Sequence, residues 1–309
     1  MIRLGLCCKF HATPIAFKTT TVAALARLPR DRQLANLSRL ALGNAKALHS
    51  ALAYCATHQI GCFRVNSQIL PVKTHPAAGY AINDLPETTE IVSPFKACGR
   101  FARQHGLRLT FHPDQFILLS AADPEIIRKS ILDLEYQAEV AAWTGADVIN
   151  IHAGGGYGNK TDTLKRLAAV IGTLSKNVRS RLTLENDDRI YTPADLLPFC
   201  RETRTPFVYD VHHHRCLPDG LSVGEVTRQA LATWDREPLF HVSSPKEGYG
   251  NKRPGPHHDF IDPADFPGEW RTLDLTVEVE AKAKETAVAR LRQSLTRKHV
   301  PLWNTSPFP

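Results

Sequence analysis

Eight short apolar runs, each followed by a segment of helical periodicity, make the chain an α/β protein folded as a single (β/α)8 barrel of the TIM type over residues 1–309. Two further observations agree. No Pro/Gly/Ser-rich stretch or compositional break marks a linker, so the series reads as one unit. Residues able to bind metal fall at the ends of the runs, at the rim where barrels of this class build their sites. An open doubly wound sheet would call for a glycine-rich first turn, which Cys8–His11 does not offer.

The first strand is read at Ile2–Cys8. Asp31–His58 follows as an amphipathic helix, with Leu34, Leu37, Leu40, Ala41, Ala45, Leu48, Leu52 and Cys55 spaced by three or four. Cys62–Ile69 is the second strand and Thr88–His105 the second helical segment. Leu107–His112 precedes a helix over Pro124–Thr144, Asp147–His152 one over Thr161–Val178, and Arg181–Glu185 one over Pro193–Arg201. Pro206–His213 leads to a helix over Val223–Trp234, and Leu239–Ser243 to a long irregular loop. Leu275–Glu280 is the eighth strand and runs into a closing helix, Ala281–Arg297.

Buried parallel strands read as unbroken apolar stretches, so a polar residue recurring at their ends points to a shared rim. LRLTFHPDQF carries His112, DVINIHAGGG His152, RLTLENDD Glu185, PFVYDVHHH Asp210 and His213, LFHVSSP His241 and TVEVEAK Glu280; GPHHDF adds His257. A lone histidine would be read as a hydrogen-bonded rim residue, but repetition across six strands describes a metal-lined active site. About five histidines and three carboxylates exceed the three or four protein ligands of a single catalytic zinc, so two or three divalent ions are expected. Imidazole suits zinc and manganese alike, and carboxylates can bridge two ions; the central Glu185 best suits bridging. Alternation puts Glu278 and Glu280 on one face, and position at the strand end favours Glu280. If 206–213 is strand throughout, Asp210 and His213 face opposite sides, so sharing a site requires a bend after the strand.

A net charge of +7 and a pI near 9.1 favour an anionic partner such as nucleic acid. Seven scattered cysteines without CxxC spacing fit free thiols in a reducing compartment better than a disulfide framework. Cys7 and Cys8, on opposite faces of a strand, read as buried thiols rather than ligands. No apolar run approaches the roughly 18 residues of a membrane span, and IRLGLCC reads as a strand rather than a signal peptide. An intracellular monomer is expected, in the cytoplasm or nucleoid of a bacterium or the nucleus of a eukaryote. AGGGYGNKT (153–161) has Asn159 where a phosphate-binding P-loop requires Gly before the lysine, which argues against nucleotide hydrolysis. GYGNK recurs at 248–252. The two loops are either unrelated flexible segments or basic loops that set Lys160 and Lys252 against one anionic substrate.

Taken in order and spacing, HPDQF, NIHAGGG, LENDD, DVHHH, HVSSPK, HHDFID and EAKAKE, with the N-terminal LGLCC and the NLSRL helix, resemble the UV-damage endonuclease family over nearly the whole chain. The resemblance implies a TIM barrel related to the endonuclease IV group with a divalent-metal cluster. It also implies damaged double-stranded DNA as substrate, cleaved 5′ to pyrimidine dimers, 6-4 photoproducts and abasic sites. Carried over by motif, His112, His152, Glu185, Asp210, His213, His241, His257 and Glu280 are the implied metal ligands, with Glu185, Glu280 and His241 serving catalysis directly. Manganese is the first expectation for the ions, with zinc and magnesium as alternatives. Gln115 and Phe116 are the implied wedge entering the duplex, and His75 lies near the scissile or flipped nucleotides. The chain departs from the family pattern at Phe116, where Tyr is common, at Leu6, where an aromatic is common, and at Leu239, where a lysine is common. The rival readings are a metal-dependent sugar isomerase or epimerase on the same barrel, which needs fewer ions and a closed pocket, and a non-catalytic DNA-binding module.

Overall fold

A computed structural model of the protein describes residues 1–114 and 116–305. Strands β1 (Ile2–Cys7), β2 (Cys62–Val65), β3 (Arg108–Phe111), β4 (Val148–His152), β5 (Leu182–Glu185), β6 (Phe207–Asp210), β7 (Leu239–Val242) and β8 (Leu275–Val279) pair in sequence order, all parallel. β8 pairs back onto β1 and closes the barrel. The helices are α1 (Val22–Leu25), α2 (Arg30–Thr57), α3 (Thr88–Gln104), α4 (Pro124–Thr144), α5 (Lys160–Thr173), α6 (Lys176–Arg179), α7 (Pro193–Thr203), α8 (Val211–Cys216), α9 (Val223–Leu231) and α10 (Lys284–Arg297).

The helical periodicity is visible in what each helix buries. α2 turns Leu37, Ala41, Ala45, Leu48, Leu52 and Cys55 inward at spacings of three and four. α4 begins at Pro124 behind the N-cap Asp123, whose side chain accepts from Glu125 N, and ends at Gly145 with φ 79°. No helix among the described residues is long and apolar enough to cross a membrane.

Three expectations are corrected by local chemistry. The second strand stops at Val65 and not Ile69, because the Asn66 side chain accepts from Gln68 N at 2.8 Å and its carbonyl from Ile69 N, which turns the chain. The helix over 161–178 is broken at Leu174, whose backbone is extended, and Ser175 caps α6 by accepting from Val178 N. The strand read as 206–213 ends at Asp210, and 211–216 coils into α8 with Asp210 as its N-cap.

The N-terminal end of the barrel is sealed by ion pairs. Arg3 meets Glu237 at 2.8 Å, and Arg108 meets Asp147 at 2.9 Å while donating to Thr276 Oγ1 at 3.1 Å. The C-terminal ends of the strands open onto a cleft of about 960 Å³. Just below that mouth Gly5 leaves room for an interior carboxylate, since a Cβ there would lie 3.0 Å from Glu278 Cγ and 3.2 Å from Cys62 Cβ.

Candidate metal centre

Strand ends carry the site. His152, Glu185 and Asp210 are the last residues of β4, β5 and β6, His112 and Glu280 directly follow β3 and β8, and His241 lies in β7. The bend that Asp210 and His213 require is present as the N-terminus of α8. Asp210 Oδ1 accepts from His213 N at 2.8 Å, and the helical turn brings His213 Nδ1 to 3.6 Å from Asp210 Oδ2.

Glu185 sits at the centre, 1% exposed. Its Oε2 lies 3.0 Å from His112 Nε2 and 3.9 Å from His152 Nε2; its Oε1 lies 3.0 Å from His241 Nδ1 and 3.4 Å from His213 Nδ1. Beneath it, Asn150 donates to Oε2 at 2.5 Å, and Thr183 donates to Asn150 at 2.9 Å. Burial alone would raise the Glu185 pKa, but His241, His152 and the bonds from His112 and His213 pull it well below the usual carboxylate range. Two histidines are oriented by carbonyls: Pro113 O lies 3.1 Å from His112 Nδ1, and Asn186 O 2.9 Å from His213 Nδ1. A carbonyl only accepts, so His112 Nδ1 carries its proton and Nε2, beside Glu185, is the nitrogen left free to ligate, whereas His213 Nδ1 faces Asn186 O, Glu185 and Asp210 together.

Three overlapping sets of ligand atoms result, each within 4.8 Å of one another: His112, His152 and Glu185; His112, His241 and Glu280; Glu185, Asp210 and His213. His112 and Glu185 each belong to two sets. Asp210 Oδ2 and His152 Nδ1 are buried without a hydrogen-bond partner among the described residues, a costly arrangement unless a cation or water completes it. The donor set is nitrogen and carboxylate oxygen throughout, which suits manganese, zinc and related ions. The residues therefore fit a cluster of divalent ions. His257 stands beside these sets, with Nδ1 3.8 Å from Glu280 Oε2.

The UV-endonuclease UvdE family matches residues 2–302. The chain belongs to this family. A UV DNA damage endonuclease of Deinococcus radiodurans is 36% identical over 305 residues, covering 94% of each chain. Among solved structures, SacUVDE superposes with a TM-score of 0.85 at 24% identity, covering 97% of this chain and 100% of its own. Endonuclease IV from Thermus thermophilus superposes with a TM-score of 0.58 at 18% identity, covering 81% and 94%. These two likenesses establish the shared barrel.

The residues expected at the family's DNA-facing surface are distributed unevenly. Phe116 is 74% exposed at the mouth, while Gln115 lies outside the described residues. His75 sits in the loop after β2 and lines a cavity of about 510 Å³ together with Phe116, Thr74 and Asp133. Lys160 opens α5 and is held by Asp195 at 2.7 Å, whereas Lys252 is exposed on the loop after β7. The two GYGNK copies differ in context: Tyr157 is 45% exposed, but Tyr249 Oη lies 3.0 Å from His212 Nδ1.

Of the three adjacent histidines, only His213 reaches the cluster. His212 ties down the loop after β7 through Tyr249 and through Gly255 O at 3.0 Å, and His214 bridges Tyr209 and Asp219 at 2.7 and 2.9 Å. Among the departures from the family pattern, Leu239 packs with Val148 and Val208 inside the barrel, and Leu6 is fully buried. Cys7 is buried, Cys8 is half-buried and lines the cleft, and all seven cysteines are free.

Sequence reading missed Arg64. Its Nε donates to Glu278 Oε2 at 2.6 Å, Nη1 meets Glu280 Oε1 at 2.6 Å, and Nη2 lies 3.0 Å from His241 Nε2. The signal was a lone arginine in the apolar run CFRV. Glu278, which competed with Glu280 as a ligand, lies one layer lower, held by Arg64 and Thr110 with Oε2 3.2 Å from His241 Nε2.

Proposed function

We propose that this protein incises the backbone of damaged double-stranded DNA on the 5′ side of lesions, pyrimidine dimers and 6-4 photoproducts first and abasic sites as well. It does so with two or three divalent ions, manganese before zinc or magnesium. The observation that carries this reading is the set of three overlapping ligand groups sharing His112 and Glu185 at an open mouth, beside an exposed aromatic. Family membership favours it over the sugar isomerase or epimerase reading, as does a cleft lined by Lys9, Lys18, Lys282 and Lys284.

Divalent ions on these ligands would supply Lewis-acid stabilisation of the charge that develops during phosphodiester cleavage. The chain's residues provide the rest. Glu185, buried and held anionic with both oxygens turned to histidines of the site, would hold the ions and is fixed in place by Asn150. Glu280 and His241 take their geometry from Arg64 and Glu278 beneath them. Phe116, exposed over most of its surface, presents a ring on which an unstacked base can stack. Undamaged duplex resists that intrusion, and damaged pairs lower its cost, so selectivity follows from deformability without a base-specific code. His75 borders the cavity next to Phe116 where displaced nucleotides would lie. Lys252, exposed on the loop after β7, is available to backbone phosphate. Lys160, held by Asp195, contributes through the start of α5.

Nicking of supercoiled plasmid tests the reading. UV-irradiated plasmid is expected to relax in the presence of Mn²⁺, with unirradiated plasmid and chelator-treated reactions left supercoiled. Equal nicking of both plasmids, or nicking unaffected by chelator, would contradict it.

A further inference from the structure

Sequence reading assigned the phosphate contacts to Lys160 and Lys252, but the cleft itself carries a different set of cations. Lys9 follows β1, Lys18 lies further along the same connection, Lys282 stands between β8 and α10, and Lys284 is the first residue of α10; all four line the cleft with Glu280, His257 and Phe116. Lysine ion pairs among the described residues involve Lys73, Lys129, Lys160 and Lys165. The four cleft lysines make none with a described residue. The acids lining the cleft are Asp114 and Glu280, and Glu280 is engaged by Arg64.

These lysines are not loosely placed. The connection between Cys8 and Thr21 has no helix or strand, yet two buried side chains grip it. Glu285, in the first turn of α10 and 1% exposed, accepts from His11 N and Ala12 N at 2.7 Å and from Thr13 N at 2.9 Å. Asn44 of α2, fully buried, accepts from Lys18 N and donates to Lys18 O, both at 2.8 Å, and donates to Ile69 O at 2.8 Å. Glu285 therefore ties the segment bearing Lys9 and Lys18 directly to the helix that follows Lys282 and opens with Lys284. Cys8 and Lys284 also hold left-handed backbone, φ 60° and 47°. Such strain in residues with side chains persists only where the surroundings enforce it, and it concentrates at functional sites.

We infer that Lys9, Lys18, Lys282 and Lys284 form a pre-organised phosphate rail on the β8/β1 side of the metal centre, along which the sugar-phosphate backbone of the bound duplex runs. The inference rests on the proposed DNA-incision function and assigns the surface that function uses. Lysines on a backbone already held in place displace counterions without first paying to order the loop, and each contact adds about one to the salt slope of binding.

Binding to a fluorescent duplex, undamaged or bearing one dimer, measured over a range of NaCl concentrations, tests the rail. The variant Lys9→Ala/Lys18→Ala/Lys282→Ala is compared with Lys176→Ala/Arg179→Ala/Arg204→Ala, which removes three charges from segments preceding β5 and β6 at the opposite end of the barrel. The rail variant is expected to lose roughly 3 from the slope of log Kobs against log salt, equally on both duplexes, and the opposite-end variant less than about 1. A rail variant with the wild-type slope, or equal losses in the two variants, would overturn the rail while leaving incision standing. Wild-type protein that binds neither duplex would overturn the incision reading and the rail together.

Discussion

Arg64 and Glu280 meet at the barrel mouth above β1, Nη1 to Oε1 at 2.6 Å, and the same guanidinium grips Glu278 one layer below. A permanent cation thus sits directly beneath the residues proposed to hold divalent ions. TIM-barrel interiors are usually packed with branched aliphatic residues; here the layer under the site consists of Glu278, Thr110, Asn150 and Thr183, all buried and hydrogen-bonded to one another or to the layer above. The candidate metal ligands rest on a polar floor that fixes their orientation.

Removing the guanidinium strands Glu278, whose side chain is 1% exposed. Breaking a buried pair by deleting one partner costs about 3–5 kcal/mol, so Arg64→Met should lower the urea-unfolding free energy of the metal-free protein by that order. Burial pushes the Glu278 pKa up, but Arg64 and His241 bring it down to about 2 from 4.5. A carboxylate depressed on folding stabilises fully above its unfolded value and loses that contribution as pH falls through its folded one. Between pH 4.5 and about 2 the wild type should therefore lose stability more steeply than Arg64→Met. Parallel acid limbs would contradict this.

Metal binding should be proton-coupled. Burial disfavours charge on His241, yet Glu185 and Glu280 lift its pKa to about 10; burial likewise opposes His213, which Asp210 and Glu185 lift well above the usual range. Both rings hold an extra proton in metal-free protein near neutrality and must release it to ligate. Calorimetry in buffers of different ionisation enthalpy should show release of roughly two protons at pH 7, with affinity rising as pH rises. No buffer dependence would count against ligation by these two histidines.

Ligand sharing would make the proposed cluster cooperative in composition. Because Glu185 belongs to two of the three sets, Glu185→Gln should lose one or more ions while the wild type carries at least two. Elemental analysis of purified protein checks both, and a wild type with a single ion in active form would exclude a multinuclear centre.

Much of this was legible in the sequence because the signals repeat. Eight apolar runs and their helices are each weak, but β1 to β8 follow in the expected order, and seven of the eight expected ligands converge in overlapping sets. The parts that were not legible depend on single backbone events or on tertiary neighbours. That 211–213 coils into helix follows from Asp210 capping α8, which a strand-period reading of YDVHHH cannot see. His212, His213 and His214 look equivalent in sequence and acquire three roles only when Tyr249, Asn186 and Asp219 surround them. The cleft lysines are scattered from Lys9 to Lys284, and only ring closure through β1 and β8 brings them together, whereas Lys160 draws the eye beside a glycine-rich run and is engaged by Asp195.

Phe116, proposed as a wedge residue, lines the cleft but belongs to none of the candidate ligand sets. Phe116 is exposed and follows β3 by several residues, so Gln115→Ala/Phe116→Ala should leave metal content and the barrel intact. Stacking on an aromatic is worth about 1–3 kcal/mol per base, so damaged-duplex affinity should fall roughly tenfold or more. Phe116→Tyr, which keeps the ring, should be mild. Incision should drop more on a dimer than on a flexible abasic site; equal losses, or none, would reduce Phe116 to ordinary loop packing.

The most direct measurement is mapping the break in an end-labelled duplex that carries one pyrimidine dimer at a known position, with metal-depleted protein resupplied with Mn²⁺, Zn²⁺ or Mg²⁺. A single cut in the damaged strand immediately 5′ to the dimer, strongest with Mn²⁺, absent with chelator and lost in Glu185→Gln, is the expected result. A cut at other positions, a cut in undamaged duplex of the same sequence, or full activity without added metal would contradict the proposed reaction.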